Sequence, residues 1–256
     1  MIEILSHQLP TLTRWFPAGA AGPGALVEHA LATGHGRWWA DRKVRPRVLA
    51  VSCADQVLLR GDPAALAPGA LAPFAHSYVE APARFGAALH SAFDRVTPWE
   101  RMVYVHQQHV GMPKVPRGVT VRRLTADDAP TLDPQGAWIH STWGSPAALS
   151  ASGYGWAAFE ADGRMAAVAV TRFRGSAYED LAVLTHPDRR RERLALACVT
   201  ALTADVAARG RTASWCCSRD NRASRLLAWT AGFRLVREYV HHVTGRPSTR
   251  GTRIAA

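Results

Sequence analysis

Residues 178–233 read YEDLAVLTHPDRRRERLALACVTALTADVAARGRTASWCCSRDNRASRLLAWTAGF, and the elements they predict are the clearest indication of the fold. Its first residues predict a strand over 178–185, which ends before Pro187 because proline has no N–H group to donate to a sheet. Apolar residues then recur every fourth position, which predicts a helix over 193–209 with one apolar face. Gly210 follows, where a left-handed residue commonly ends a helix.

A second strand and a second helix complete this stretch. The strand is predicted over 212–217 and the helix over 221–231. Asn221 lies where an N-cap would accept free amide groups, and Gly232 lies where the helix would end. The sequence therefore predicts a β-α-β unit whose long helix starts beside a basic turn, residues 186–191.

The basic turn contains three consecutive arginines, Arg189, Arg190 and Arg191. The first turn of a helix has unpaired N–H groups and partial positive charge, so it favours phosphate groups. Guanidinium groups add forked donors that match phosphate oxygens. Such a charge run is also typical of an ordinary solvated surface.

Two motifs in this stretch resemble signatures of the GNAT superfamily of acyl-CoA-dependent N-acyltransferases. Residues 185–195, THPDRRRERLA, are similar to the acyl-CoA-binding motif R/Q-x-x-G-x-G/A, with Arg190 at its first position and Ala195 at its last. Residues 221–233 are similar to the Asn-led helix that ends in Gly-Phe. The resemblance covers about 117–245.

The sequence departs from the family pattern at two positions. Arg193 replaces the central glycine, whose lack of a side chain lets a phosphate approach the backbone. Ala228 replaces a tyrosine that protonates the departing thiolate in many relatives. These departures leave open an alternative function: a catalytically weakened GNAT-fold module that binds CoA or a partner.

The resemblance implies an α/β (α+β) fold. We expect a mixed, largely antiparallel GNAT-type sheet flanked by helices, preceded by a smaller α/β N-terminal domain. The predicted organisation is an N-terminal domain at 1–110, a linker at 111–118, a GNAT-like domain at 119–245 and a flexible tail at 246–256. The N-terminal elements are predicted as a helix at 25–33, strands at 47–53 and 56–60, a helix at 83–96 and a strand at 101–106. Their order leaves open a two-part family member with a degenerate N-terminal half.

The resemblance also implies the activity, an N-acyltransferase and most simply an N-acetyltransferase. It would move an acyl group from acyl-CoA, its co-substrate, to an amine of a small molecule or protein. In the family the acyl-CoA lies between two splayed strands, here 178–185 and 212–217. The residues implied to bind it are Val183, Leu184, Thr185, Arg189, Arg190, Arg191, Glu192, Arg193, Leu194, Ala195, Asn221 and Ser224.

Acyl transfer to an amine requires a base for the amine and an acid for the leaving thiolate. Glu179 and Asp180 are the candidate bases; neighbours in a strand alternate faces, so at most one enters the cleft. Related sequences often carry glutamate at the position of Asp180, which favours that residue. Tyr239 and Ser224 are the candidate acids. Each candidate also has a structural alternative. The two carboxylates would lie at a solvated strand end, and the tyrosine would pack in the core. The serine hydroxyl would hydrogen-bond to the backbone of its own helix.

Two tryptophans, Trp138 and Trp143, are candidate acceptor contacts, with core packing as the alternative. We expect no metal site, since His106 and His109 would not share a face of a strand. The four cysteines form no C-x-x-C pair, and the sequence contains neither a secretory pattern nor a membrane-spanning apolar run. These features favour a cytoplasmic protein without a membrane partner. The oligomeric state stays open between a monomer and a homodimer.

The formal net charge of +11 raises a third hypothesis, nucleic-acid binding. Nearly all of the excess is arginine spread along the chain, because Lys43 and Lys114 are the only lysines. Basic helices with interleaved aromatic residues are absent from the sequence, as are recognisable reading motifs. The net charge is therefore the only feature of the sequence that supports nucleic-acid binding.

Overall fold

A computed structural model describes residues 1–5, 8–9, 11 and 14–248 of the chain. These residues form two compact units, each built from separate stretches of sequence. Unit 1 comprises Met1–Ala18, Ala30–Arg101 and the chain from Tyr239 onward, and unit 2 comprises Gly19–His29 and Met102–Glu238. The predicted flexible tail, 246–256, lies outside the described residues from 249 onward.

Unit 1 contains a short-stranded mixed sheet. Its strands are β1 (Ile2–Ile4), β2 (Arg37–Ala40), β3 (Val48–Cys53), β4 (Gln56–Gly61), β5 (Tyr78–Glu80) and parts of β6 (Val96–His106) and β12 (Phe233–Thr244). Strands β1 to β4 pair antiparallel in order, β4 and β5 pair parallel, and β5 pairs antiparallel with β12. The unit boundary falls within α1 (Ala25–Thr33), and α2 (Gly86–Ala92) belongs to unit 1. Phe74, Phe85 and Leu89 are fully buried in its core.

Unit 2 contains a longer sheet with helices on both of its faces. Its own strands are β7 (Thr120–Arg123), β8 (Gly155–Phe159), β9 (Met165–Arg174), β10 (Tyr178–Thr185) and β11 (Thr212–Ser218). Their order in the sheet is β11-β10-β9-β8-β7, and only the β10–β11 pair is parallel among these neighbours. Its helices are α3 (Ala129–Leu132), α4 (Pro146–Ala151), α5 (Leu194–Ala208) and α6 (Arg222–Thr230).

Helix α5 forms the centre of the packing on one face of the unit 2 sheet. It carries no charged residue before Asp205, and most of its apolar side chains are buried, Cys198 and Leu202 fully. Leu181 of β10 packs in the same cluster. A second cluster on the opposite face contains Ile139 and Trp143. The central strands are therefore buried on both faces, which explains their nearly continuous apolar sequence.

The fold-class prediction is confirmed, because each unit has a mixed, largely antiparallel sheet with flanking helices. The predicted helix at 83–96 is wrong at its end. Residues 83–92 form a 3-10 turn and α2, and the chain is already a strand at Val96. The apolar spacing of Phe85, Leu89 and Phe93 is helical, but Phe93 is already extended and closes the helix.

The chain between the predicted domains has no regular secondary structure over 111–116. The units nevertheless differ from the predicted limits, because Gly19–His29 packs within unit 2. Gly22 shows why: its N–H group bonds to Ser214 Oγ at 3.1 Å, and a Cβ added there would lie 2.9 Å from Cys216 Sγ. Among the described residues, every helix is too short or too polar to cross a membrane.

Candidate active site

Strands β10 and β11 of unit 2 pair for only four residues and then separate. The parallel register runs from Tyr178 opposite Thr212 to Leu181 opposite Trp215. Beyond it, β10 continues for four more residues and remains paired only with β9. A strand directs its main-chain polar groups to both neighbours, so this part of β10 presents unpaired groups toward the opening. The predicted residues Val183, Leu184 and Thr185 lie there and are half-buried.

Alternate residues of β10 serve different faces of the sheet. Leu181 and Val183 pack with the α5 cluster, whereas Ala182 and Leu184 pack with the cluster on the opposite face. The opening beside β10 is therefore bordered by both faces of unit 2.

A cradle of main-chain N–H groups, residues 190–196, lies between β10 and α5. A 3-10 turn at Pro187–Arg189 precedes it, and α5 begins at Leu194 without a side-chain cap. Within the part of the chain that the structure describes, these N–H groups have no hydrogen-bond acceptor. Arg191 (φ 67°) and Arg193 (φ 62°) are left-handed, a conformation typical of anion-binding nests. The predicted residues Leu194 and Ala195 supply the first helical N–H groups.

The arginines of the turn divide into two kinds. Arg189 is half-buried and forms ion pairs with Glu160 and with Glu192, the latter at 2.8 Å. Hydrogen bonding to Arg189 lowers the pKa of Glu192. Arg190, Arg191 and Arg193, by contrast, are exposed, and no carboxylate of the described residues lies within 4.0 Å of their guanidinium groups. Three uncompensated positive charges thus surround the N–H cradle.

Of the two candidate bases, Glu179 is fully buried among donors. Its carboxylate accepts hydrogen bonds from Thr171 Oγ1 at 2.7 Å, from Arg209 at 2.8 and 2.9 Å and from Arg211 at 3.0 Å. Burial alone would raise the pKa of Glu179, but the bonds from Arg209 and Thr171 outweigh it and hold the pKa below its ordinary value. Such a carboxylate stays ionised, and its lone pairs are already used.

Asp180 points to the other face and is 3% exposed. Ser214 Oγ donates to Asp180 Oδ1 at 3.0 Å and accepts the N–H of Gly22 at 3.1 Å. A bulge in the β9–β10 pairing falls directly after Asp180, and bulges commonly redirect side chains beside active sites. The geometry therefore favours Asp180 over Glu179, although its role as base stays a prediction.

Helix α6 begins beside β11 as the sequence predicts. Asn221 caps it by accepting the N–H of Ser224 at 3.0 Å. The hydroxyl of Ser224 accepts the indole N–H of Trp215 at 3.0 Å, at the last paired position of β11. Ala228, at the position where the motif resemblance implies a tyrosine, is fully buried in the α5 cluster.

Three further predicted residues are aromatic. Tyr239 belongs to unit 1, where its ring contacts His241 edge to face at 5.0 Å. Trp143 is buried in unit 2 and donates its indole N–H to the carbonyl of Thr171 at 2.8 Å. Trp138 is 42% exposed. Core packing explains Trp143 fully, and the acceptor roles of both tryptophans stay predictions.

Sequence reasoning missed the polar groups that hold the carboxylates in place. Arg209, Arg211 and Ser214 come from the segment between α5 and β11 and from β11 itself. The available signal was the pair of arginines flanking Gly210, since a buried strand carboxylate such as Glu179 requires a nearby cation.

Comparisons with known proteins agree with this architecture. The model of the GNAT acetyltransferase family matches residues 20–242. A Streptomyces virginiae protein called an uncharacterized N-acetyltransferase in the mutA 5′ region is 62% identical over 212 residues, which span 82% of this chain and 90% of that protein.

Two solved structures share the fold at low sequence identity. A GCN5-related N-acetyltransferase-like protein from Streptococcus suis 89/1591 has a TM-score of 0.71 and 16% identity over 93% of this chain and 99% of its own. A GNAT-family acetyltransferase from Colwellia psychrerythraea has a TM-score of 0.62 and 14% identity over 96% and 99%. The similarity therefore extends well beyond the predicted range 117–245 into the N-terminal half. The chain belongs to the GNAT acetyltransferase family.

Proposed function

We propose that unit 2 transfers an acyl group, most simply acetyl, from acyl-CoA to the amine of a small molecule or protein. One observation carries this proposal: the opening between β10 and β11 adjoins a cradle of free N–H groups flanked by three uncompensated arginines. The Streptomyces virginiae relative, called an N-acetyltransferase, supports the same activity.

The cradle fits the phosphates of CoA in charge and geometry. A pyrophosphate needs several donors on one side and positive charge nearby, and residues 190–196 supply both. Arg193 supplies its N–H in the conformation that a glycine would adopt, and its exposed side chain adds a third guanidinium to those of Arg190 and Arg191. The replacement of glycine is therefore compatible with phosphate binding.

The open part of β10 would orient the thioester. Unpaired N–H groups near Val183 and Leu184 can polarise its carbonyl oxygen, which gains negative charge during transfer. Asp180 is one candidate for removing a proton from the amine, directly or through water. Ser224 is the candidate of unit 2 for protonating the thiolate.

A binding module without turnover is the second candidate function. Ala228 favours it, because a fully buried alanine offers no acid at the family's tyrosine position. Acyl transfer separates the two functions, since a module that only binds would retain affinity for CoA and release no thiol with any amine.

Thermal unfolding with acetyl-CoA tests the binding step. Ligand at a hundred times its Kd stabilises the folded state by about 2.7 kcal/mol, which for a chain of this size is about 5–10 °C in Tm. The double variant Arg190→Ala/Arg191→Ala should raise Kd roughly 5- to 30-fold, from a loss of about 1–2 kcal/mol. Its unfolding without ligand should stay unchanged because both side chains are exposed.

A matched control separates local from general electrostatics. Lys114→Ala/Arg117→Ala also removes two exposed positive charges from unit 2, outside the cradle. We expect this control to bind acetyl-CoA like the parent protein. Equal weakening in both double variants, or no shift in Tm at millimolar acetyl-CoA, would exclude the cradle as the phosphate site.

A further inference from the structure

His140 is a buried histidine of unit 2 whose ring has no hydrogen-bond partner. It joins two 3-10 turns, Ala137–Ile139 and Ser141–Trp143, and is 8% exposed. Neither Nδ1 nor Nε2 has a partner among the described residues. Buried polar side chains are nearly always satisfied, so such a group calls for a partner from outside the chain.

The segment that carries His140, residues 137–143, is fastened to one place on β9. Arg172 Nη1 donates to the carbonyl of Trp138 at 2.8 Å, and Thr142 Oγ1 donates to the carbonyl of Arg172 at 2.8 Å. The indole of Trp143 adds its bond to Thr171. These bonds fix the backbone on both sides of His140.

That place is where the opening of the sheet begins. Thr171 pairs with Leu181 across the β9–β10 bulge, and Leu181 is also the last residue of β10 that pairs with β11. Ile139, next to His140, packs in the same cluster as Ala182 of β10. The segment therefore lies beside the start of the opening, on the face opposite α5.

The two faces separate the two substrates of the proposed transfer. The cradle at the start of α5 would hold the phosphates of CoA on one side of the opening. An amine that attacks the thioester from the other face would meet the segment 137–143. His140 is the titratable group that this segment brings there.

Asp133 is the carboxylate nearest to this ring. Its Oδ1 lies 3.8 Å from Nε2 of His140, and its side chain is 72% exposed. The elements packed against the segment also carry Glu179 and Asp180 in β10, Arg172 and Arg174 in β9, and His29 in α1, whose Nε2 lies 2.8 Å from the carbonyl oxygen of Thr142. Of the three carboxylates, only Asp133 lies within 4.0 Å of the ring. Its charge favours a proton on Nε2, which leaves Nδ1 as the proton acceptor.

We propose that His140 is a catalytic residue that takes a proton from the ammonium group of the acceptor, with Asp133 as its positioning residue. This inference rests on the proposed acyl transfer. The exposed side chain of Asp133 borders the ring, and the exposed Trp138 lies two residues before His140 in the same segment; their displacement admits the amine.

The step balances as follows. R–NH3+ gives one proton to Nδ1, and the freed lone pair forms the C–N bond. The C–S bond breaks and its electron pair leaves with sulfur. The nitrogen then loses a second proton, sulfur gains one, and one proton goes to solvent. The sum is R–NH3+ plus acyl-S-CoA giving R–NH-acyl, CoA-SH and H+.

The test measures CoA release from acetyl-CoA with phenethylamine, spermidine and N-α-acetyl-lysine methyl ester, using the best of these for kcat/KM between pH 6 and 10. His140→Gln should lower kcat/KM at pH 7 about 100-fold or more, as expected for a lost general base. The deficit should narrow toward pH 10, where the amine loses its proton unaided. The acetyl-CoA-induced shift in Tm should persist.

Two further variants keep the test decisive. Asp133→Asn alters an exposed side chain that folding does not require. As the loss of a positioning residue, it should lower kcat with little change in the KM for the amine or in the acetyl-CoA-induced shift in Tm. His35→Gln, an exposed histidine of unit 1, is the control and should leave the profile unchanged.

Each outcome bears on one proposal. Near-parental activity of His140→Gln, or a deficit that stays constant with pH, overturns the role of His140; a large loss in Asp180→Asn alone would then assign the base to β10. If the parent protein binds acetyl-CoA but acetylates none of the three amines, acyl transfer itself fails, and His140 fails with it.

Discussion

Arg193 holds a conformation that glycine adopts freely, and replacing it with glycine should stabilise the protein. The residue has φ 62° and ψ 13°, and its side chain is exposed. A left-handed residue with a Cβ atom costs about 1–2 kcal/mol. Glycine removes that cost. It also raises the conformational entropy of the unfolded chain, which destabilises the folded state by about 0.4–1 kcal/mol. Arg193→Gly should therefore gain about 0.5–1 kcal/mol, or about 1–4 °C in Tm.

Arg193→Ala is the matched variant, because it removes the guanidinium and keeps both the Cβ atom and the left-handed backbone. We expect its Tm to equal that of the parent protein. Both variants lose the same exposed charge, so both should bind acetyl-CoA about 2- to 5-fold more weakly, a cost of at most about 1 kcal/mol. Thermal unfolding without ligand and calorimetric titration with acetyl-CoA measure the two effects separately.

Arg45→Gly completes the set. Arg45 is also exposed and left-handed (φ 48°) but belongs to unit 1, so its replacement should leave affinity for acetyl-CoA unchanged. The reasoning is refuted if Arg193→Gly is no more stable than Arg193→Ala. The favourable role of the Arg193 side chain in binding is refuted if Arg193→Gly binds acetyl-CoA more tightly than the parent protein, because the side chain would then obstruct the ligand.

Two further predictions concern buried groups of unit 2. Glu179→Gln should destabilise the protein by about 3 kcal/mol at pH 7, because it removes the carboxylate that pairs with Arg209 at 2.8 Å and with Arg211 at 3.0 Å, and Asp205, 4.0 Å from Arg209, replaces it only weakly. Because the pKa of Glu179 is lowered, its contribution to the free energy of unfolding is full above the unfolded value of 4.5 and is lost as pH falls through the folded pKa. The free energies of unfolding of the two proteins, measured in urea, should therefore converge in acid. A difference that stays constant with pH would contradict an ionised Glu179. Burial raises the pKa of Cys198 to about 12, so iodoacetamide at pH 8 should label this thiol only after unfolding. Mass spectrometry measures the labelling. Rapid labelling of the native protein would show that α5 is less tightly packed than described.

The sequence was most informative where local pattern and capping agree. The strand at 178–185, the Asn221 cap and the C-terminal glycines are settled by alternation, helical period and turn chemistry within a few residues of each other. The end of α2 was missed, because the apolar spacing that includes Phe93 suits a helix while the next element is a long strand. Pattern within a window cannot detect that competition.

The sequence predicted where the candidate site lies, but not which of its charged side chains are neutralised by ion pairs. A run of arginines gives no indication of which one is neutralised; the ion pair of Arg189 with Glu160 depends on a hairpin from another part of the chain. Similarly, alternation placed Glu179 and Asp180 on opposite faces, but the two arginines that bind Glu179 decided which face is occupied by donors. The isolation of His140 has no sequence signature at all, because it depends on what the surrounding turns fail to supply.

The hydrogen bond between Gly22 and Ser214 joins residues 192 positions apart. During synthesis the ribosome adds about 5–20 residues per second, so Gly22 waits roughly 10–40 s for its partner strand. Segment 19–29 must remain undocked through that interval, with buried residues such as Leu26 exposed to water or to a chaperone. Unit 2 therefore completes its fold only when most of the chain has left the ribosome, so slower translation would lengthen the time before this docking step.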